Sequence, residues 1–372
     1  MKKLTTLLLF SLMLFASYCV LAQTPDSKPD PSSGTNKMMI MGNAEAKFVM
    51  DSASSNFTNV NFKPIFLWRI NEKLFVESEV EFETGDGEVG IGLEYANMCY
   101  KLNKYMTIHG GRFLQKFGAY RGRNGEAFLN RLPSDPVGFG DGGIGPMNEV
   151  GVGIQGGFPC GPSKMNYDIY VSNGPVLLTD SSEVGQFDYE AYIDNNKGKT
   201  YGGHIGLLPF SNSCVELGVS MEHSDKTGDI GTPFENIGTT MMAYDGSFFH
   251  KISPLKGTFR ILGEYKSQNT DQINFPDDSA GFYSFKNLSS TFYVAASFRP
   301  NLINNKFIRN LEIAGRFSQF TPPANAPWGG AQQTQTAVSL DYWFNWNSLI
   351  KVCYQMQTDM PNTLICQLAL GF

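Results

Sequence analysis

Successive windows of this chain switch between apolar and polar side chains at every second position, and a 3.6-residue helical period fits none of them. In 164–172, Met165, Tyr167, Ile169 and Val171 alternate with Lys164, Asn166, Asp168 and Ser172. In 214–222, Val215, Leu217, Val219 and Met221 alternate with Glu216, Gly218, Ser220 and Glu222. The same holds for Val338, Leu340, Tyr342, Phe344 and Trp346 in 337–346, and for Ile350, Val352, Tyr354 and Met356 in 350–357. A period of two belongs to strands with one face in an apolar medium and the other in a polar one.

Read this way, the chain yields sixteen segments, near 38–50, 59–70, 73–84, 89–102, 104–113, 149–158, 164–173, 200–209, 214–224, 238–251, 257–269, 288–299, 310–321, 334–347, 349–359 and 363–372. Short links at 71–72, 103, 159–163, 211–213, 252–256, 300–309 and 348 take turns with mostly longer ones at 51–58, 114–148, 174–199, 225–237, 270–287 and 322–333; the links at 85–88 and 360–362 are short. A water-soluble sandwich has no reason to gather its long loops at one end. A transmembrane barrel does, with short turns on the periplasmic side and long loops outside.

Residues 1–22 read as a secretory signal, with Lys2 and Lys3 before the apolar run from Leu4 to Val20, and Ala22 before Gln23. The competing readings are a membrane anchor and a lipoprotein, the second of which would need a small residue where Tyr18 precedes Cys19. Residues 23–37, QTPDSKPDPSSGTNK, read as a flexible periplasmic leader, and 38–372 as the barrel. Beyond the signal no run reaches 18 apolar residues, so an exported membrane protein must span with strands. In lipid every backbone N–H and C=O needs a partner, which forces the sheet to close. The expected fold is all-β: a 16-stranded antiparallel transmembrane β-barrel, wide enough for an aqueous lumen, in the bacterial outer membrane with lipid around it. The segment ending in Leu364, Leu368, Leu370 and Phe372 resembles a C-terminal sorting signal for the barrel-assembly machinery. Trp68, Tyr342, Phe344 and Trp346 sit near strand ends as interfacial girdles would, while Trp343 is out of phase and points to the pore. Charge also excludes a partner class: the formal net charge of −6 becomes −8 once Lys2 and Lys3 leave, so no nucleic-acid partner is expected.

The link after the fifth segment carries Arg112, Lys116, Arg121, Arg123 and Arg131. Folded inward, it would narrow the lumen and line it with forked donors suited to phosphate and carboxylate; left outside, it is ordinary surface charge. The third segment places Glu77, Glu79, Glu81 and Glu83 on one face, which lipid excludes, so these acids should line water opposite the basic loop or simply keep the wall wet. The glycines crowded into 138–157 lack a dinucleotide fingerprint and suit close packing of the loop on the wall. His109, His204, His223 and His250 are scattered and no GxSxG elbow occurs, so no catalysis, cofactor or metal is expected, an inward serine beside His109 or His204 being the one route to a hydrolase. Cys160 and Cys214 fall in neighbouring short turns, where a disulfide is conceivable.

KLFVESEVEFE at 73–83, LEYANMCYKLNKYMTIHGGRFLQKFGAY at 93–120 and LNRLPSDP at 129–136 together resemble the phosphate-selective porin O/P family, in the form common in Bacteroidetes-type bacteria. The resemblance covers roughly a quarter of the chain through those motifs. It implies a sixteen-stranded, often homotrimeric porin with an anion-binding constriction, whose loop entry carries Arg112, Lys116 and Arg121. The sequence departs from that pattern in having few further inner lysines and arginines arranged as a ladder. The function expected is passive diffusion of small hydrophilic solutes, with a preference for anions or phosphate open. The alternative is a surface binding or adhesion protein acting through its external loops, 174–199 above all.

Overall fold

The computed structural model describes residues 37–372 except 86–87, 141–142, 181–182 and 278–280. The signal at 1–22 and all but the last residue of the leader lie outside the described residues. Sixteen strands form one closed antiparallel ring in chain order. They are β1 (Lys37–Met50), β2 (Ser55–Arg69), β3 (Leu74–Gly85), β4 (Glu88–Asn103), β5 (Met106–Leu114), β6 (Asn148–Cys160), β7 (Ser163–Ser172), β10 (Thr200–Leu208), β11 (Val215–Ser224), β12 (Thr239–Ile252), β13 (Gly257–Asp277), β14 (Gly281–Arg299), β15 (Leu311–Thr321), β16 (Gln333–Trp343), β17 (Ser348–Gln357) and β18 (Thr363–Gly371). Two short strands, β8 (Val176–Leu177) and β9 (Phe187–Asp188), pair with each other apart from the ring.

The ring closes between β1 and β18, in register from Asn43 opposite Gly371 to Met50 opposite Leu364. Gly42 and Phe372 extend the seam by exchanging backbone hydrogen bonds of 3.0 and 2.9 Å. No ring strand is left with an unpaired edge, the condition a bilayer imposes. The alternation then sorts the side chains: Ile169, Leu217, Val219, Met221, Leu340 and Val352 stand exposed outside, while Asp168, Ser220, Glu222, Asp341 and Lys351 are buried inside. That is the reverse of a water-soluble protein. Among the described residues no helix is long and apolar enough to cross a membrane.

Trp343 faces inward, its indole N–H donating to Glu312 Oε2 at 2.9 Å, whereas Trp68 and Trp346 are exposed on the outside. Phe372 also lies outside, stacked on Phe62 with ring centroids 5.5 Å apart. Cys160 and Cys214 are free thiols.

One pair of strands departs from expectation. The stretch 270–287, expected as a loop, instead continues β13 to Asp277 and begins β14 at Gly281. The physical reason is a register shift between Asn269 and Gln272. Before it the buried positions are Glu264, Lys266, Gln268 and Thr270; after it they are Ile273 and Phe275, so the alternation changes phase and no longer reads as one strand.

That extension builds a cap at the long-loop end. Ile273, Phe275 and Phe285 pack with Leu177, Val184, Phe187 and Tyr189 from loop 173–199, against Met241 and Ala243 of β12, with Phe234 and Ile237 alongside. Trp328 N–H donates to Val184 O at 2.6 Å. Within 174–199, offered above as a binding loop, Leu177, Val184, Phe187 and Tyr189 are thus packed into this cluster, while Tyr192 and Ile193 stay exposed.

Candidate functional site

The link from β5 to β6 turns into the barrel. Its backbone groups must then find partners inside, and the inner wall supplies them from β11 to β17. Gly118 N–H donates to Ser220 Oγ at 2.9 Å. Ala119 and Tyr120 N–H both donate to Glu264 Oε2, at 2.8 and 2.7 Å. Thr291 Oγ donates to Val137 O at 2.7 Å, Arg316 to Ser134 O at 2.6 Å and Asp135 O at 2.8 Å, and Lys351 Nζ to Ala127 O at 2.6 Å. Lys266 Nζ reaches Ile144 O at 3.1 Å and lies 3.7 Å from Glu264.

Local structure allows the turn. Gly118 sits at φ +68°, and a Cβ there would lie 1.8 Å from a Glu264 carboxylate oxygen. One helical turn, α1 (Tyr120–Asn124), follows, and Tyr120 docks edge-on against Phe139 and Tyr293. The wall does carry further inward cations, Lys63, Arg260, Lys266, Arg316 and Lys351, and three of them hold the loop's carbonyls. They are spread over β2, β13, β15 and β17, so no motif marked them.

The five basic residues named from the sequence are divided by their partners. Arg112 is buried at the end of β5, donating to Glu94 O at 2.9 Å and Glu190 O at 2.9 Å, with Tyr192's ring 4.0 Å from its guanidinium. Arg123 pairs with Glu216. Arg131 pairs with Glu312 at 3.2 Å and lies over the Trp343 ring. Lys116 stays half exposed, 3.5 Å from Asp168 and bonded to Gln155 at 2.5 Å. Arg121 lies 3.4 Å from Glu190.

Two cavities flank the loop. The larger, about 510 Å³, lies towards the long-loop end, where Glu45, Glu81, Glu83, Glu94, Asp135 and Glu190 face Lys47, Lys63, Arg112 and Arg121. Lys63 and Glu81 form an ion pair of 2.6 Å there. The smaller, about 390 Å³, lies towards the short-turn end and contains Glu77, His109, Lys116, Arg123, Asp168 and His204. Of the acidic stripe, Glu81 and Glu83 therefore line the first cavity and Glu77 the second, while Glu79 is buried in the wall.

His204 does have an inward serine beside it: its Nδ1 lies 2.8 Å from Ser220 Oγ and 3.9 Å from Asp245. A relay needs the two ring nitrogens to serve serine and acid separately; here the same nitrogen faces both, and Ser220 is also taken by Gly118 N–H. Among the described residues no His, Cys, Asp and Glu cluster could hold a metal ion.

Glu126, on the loop, accepts a hydrogen bond from the Asn43 side chain. Burial raises its pKa above the ordinary carboxylate range, Lys63 opposing the shift and Glu81 adding to it. A raised pKa means the folded state holds the proton more tightly than the unfolded one. This group's stabilisation is therefore fully present at acid pH and is lost as pH climbs from the ordinary glutamate range through the raised value. Glu126→Gln is expected to flatten the change in thermal midpoint between about pH 5 and about pH 8; an unaltered pH profile would assign that dependence elsewhere.

No known family profile matches the chain, and no curated protein matches it. Solved structures do. OmpF of Salmonella typhi, in complex with daunomycin, has a TM-score of 0.59 at 14% identity over 92% of this chain and 99% of that one. The outer membrane channel DcaP of Acinetobacter baumannii gives 0.57 at 10% identity over 92% and 99%. The anion-selective porin from Comamonas acidovorans gives 0.52 at 10% identity over 91% and 100%. The likeness is one of fold: this chain is a closed 16-stranded antiparallel barrel of the architecture seen in porins.

Proposed function

We propose that the chain is a passive diffusion channel of a bacterial outer membrane, admitting small hydrophilic solutes past the inward loop. The observation that carries this is the loop bound across the inside of a closed barrel, with a charged cavity on either side and an apolar exterior. Such a shell suits lipid outside and water inside. The exposed C-terminal Phe372 fits a handle for the barrel-assembly machinery, and a homotrimer belongs to the same reading. Stepwise conductance of the purified full chain in planar bilayers tests it; a chain that inserts without conducting would reject it.

Selectivity follows from which charges reach the cavities. Lys116 and Arg121 line them, whereas Arg131 serves mainly to hold the loop. Six carboxylates against four basic groups in the larger cavity weigh against strict phosphate preference, so any anion preference rests on the few basic groups that line the two cavities, Lys116 and Arg121 among them. Replacing both by Ala is expected to raise cation over anion permeability roughly two- to threefold, read as the reversal potential in a KCl gradient. An unchanged potential would remove them from the constriction. For the adhesion alternative, Leu177, Val184 and Phe187 of 174–199 are buried in the cap, which leaves Tyr192 and Ile193 as the exposed apolar residues of that loop.

A further inference from the structure

The cavity of about 390 Å³ below the inward loop is unusual for what its polar groups leave undone. Its charges are compensated: Arg123 pairs with Glu216, Lys116 with Asp168, and Glu77 accepts from the Asn97 side-chain amide at 3.1 Å. Several buried polar atoms around them are not: both ring nitrogens of His109, both amide atoms of Gln115, Asn97 Oδ1 and Asp168 Oδ1 have no hydrogen-bond partner, His109 Nε2 and Asp168 Oδ1 standing 3.5 Å apart. All four residues line the cavity and all are at least 96% buried, since His109 is 3%, Gln115 2%, Asn97 4% and Asp168 3% exposed.

Such groups are costly to leave bare, so the site is shaped for polar atoms to enter it. The unmet set is rich in acceptors: three oxygens and one imidazole nitrogen, against the Gln115 amide and the other imidazole nitrogen as donors. An anion, which accepts more than it donates, would meet surplus oxygens. A hydroxyl both donates and accepts, so a solute carrying several of them matches this set. Phe113, whose ring meets His109 edge-on at 4.6 Å, adds an apolar face of the kind that C–H groups cover. The volume falls in the range of small-ligand sites.

We propose that this cavity is a subsite for neutral, hydroxyl-rich solutes of monosaccharide to disaccharide size, held by Asn97, His109, Gln115 and Asp168. It rests on the diffusion-channel reading and names the solute class for which that channel has a preference. A Cβ at Gly153 would come within 2.4 Å of His109 Nε2, so that glycine gives the imidazole its place at the cavity wall.

The test is single-channel current through the purified full chain with glucose, maltose, glycine or inorganic phosphate added. Expected are saturable current interruptions by glucose or maltose at millimolar concentration, with phosphate and glycine weaker by roughly tenfold or more. Gln115→Leu and Asn97→Leu, each removing an unmet acceptor at similar size, should raise the half-blocking sugar concentration by roughly tenfold. Phosphate or glycine blocking as well as the sugars, or sugars acting only through viscosity, would overturn the proposal. If the chain carries no current the channel reading fails on its own. Calorimetric titration of maltose into the detergent-solubilised chain then decides the subsite: saturable heat supports it and none rejects it.

Discussion

Glu264→Ala is expected to free the inward loop and raise single-channel conductance several-fold. Glu264 takes the backbone N–H groups of Ala119 and Tyr120 through one oxygen and stands 3.7 Å from Lys266. Removing it leaves two buried donors bare and strands the Lys266 ammonium inside. Breaking one partner of a buried pair costs about 3–5 kcal/mol. The strands do not depend on that carboxylate, since β13 keeps its backbone register with β12 and β14. The loss should therefore fall on the loop rather than the barrel. Conductance with heat-modified mobility in gels as a barrel control checks this: an intact barrel with unchanged conductance would show that the loop is held without Glu264. Gly118→Val should move conductance the same way, because its Cβ would collide with that same carboxylate.

The second large effect is expected in the cap. Phe275 is 1% exposed and stacks on Phe234 and Phe285 with centroids 5.1 and 5.7 Å apart. Phe275→Ala removes the middle ring of that stack, at about 3–5 kcal/mol. Because the extended β13–β14 hairpin, loop 173–199 and loop 225–238 share this one cluster, they should loosen together. Limited proteolysis should then cut both loops at least roughly tenfold faster while the barrel resists. Equal cutting rates in the two proteins would mean that the cap draws its order from hydrogen bonds such as Trp328 to Val184.

The strands were legible in the sequence because a closed barrel with an apolar outside and a polar inside alternates residue by residue: Val215 to Met221 and Ile350 to Met356 are apolar wherever they face outward. Strand ends differ from expectation by a few residues in most cases, and by more only at β13 and β14, where the register shift reverses the phase. The loop's basic residues were legible as a cluster; their partners were not. Glu216 and Glu312 lie 93 and 181 residues away from Arg123 and Arg131, and nothing local marks a carboxylate as the one that will meet a given guanidinium. The cap was missed for a related reason. Leu177, Val184, Phe187 and Phe234 lie in loops with no period, and only the fold brings them to the β13–β14 hairpin. His109, Asn97 and Gln115 carry no motif either; what distinguishes them is unmet hydrogen bonding, a property of three-dimensional surroundings.

The anchors of the inward loop also set an order of events in biogenesis. Ala127 waits on Lys351, 224 residues later, and Ala119 on Glu264, 145 residues later. Contacts so distant along the chain form late, and most of these donors and acceptors belong to strands that emerge after the loop itself. A nascent barrel is therefore expected to pass through an ungated stage, a broad hole whose narrowing waits for the C-terminal strands.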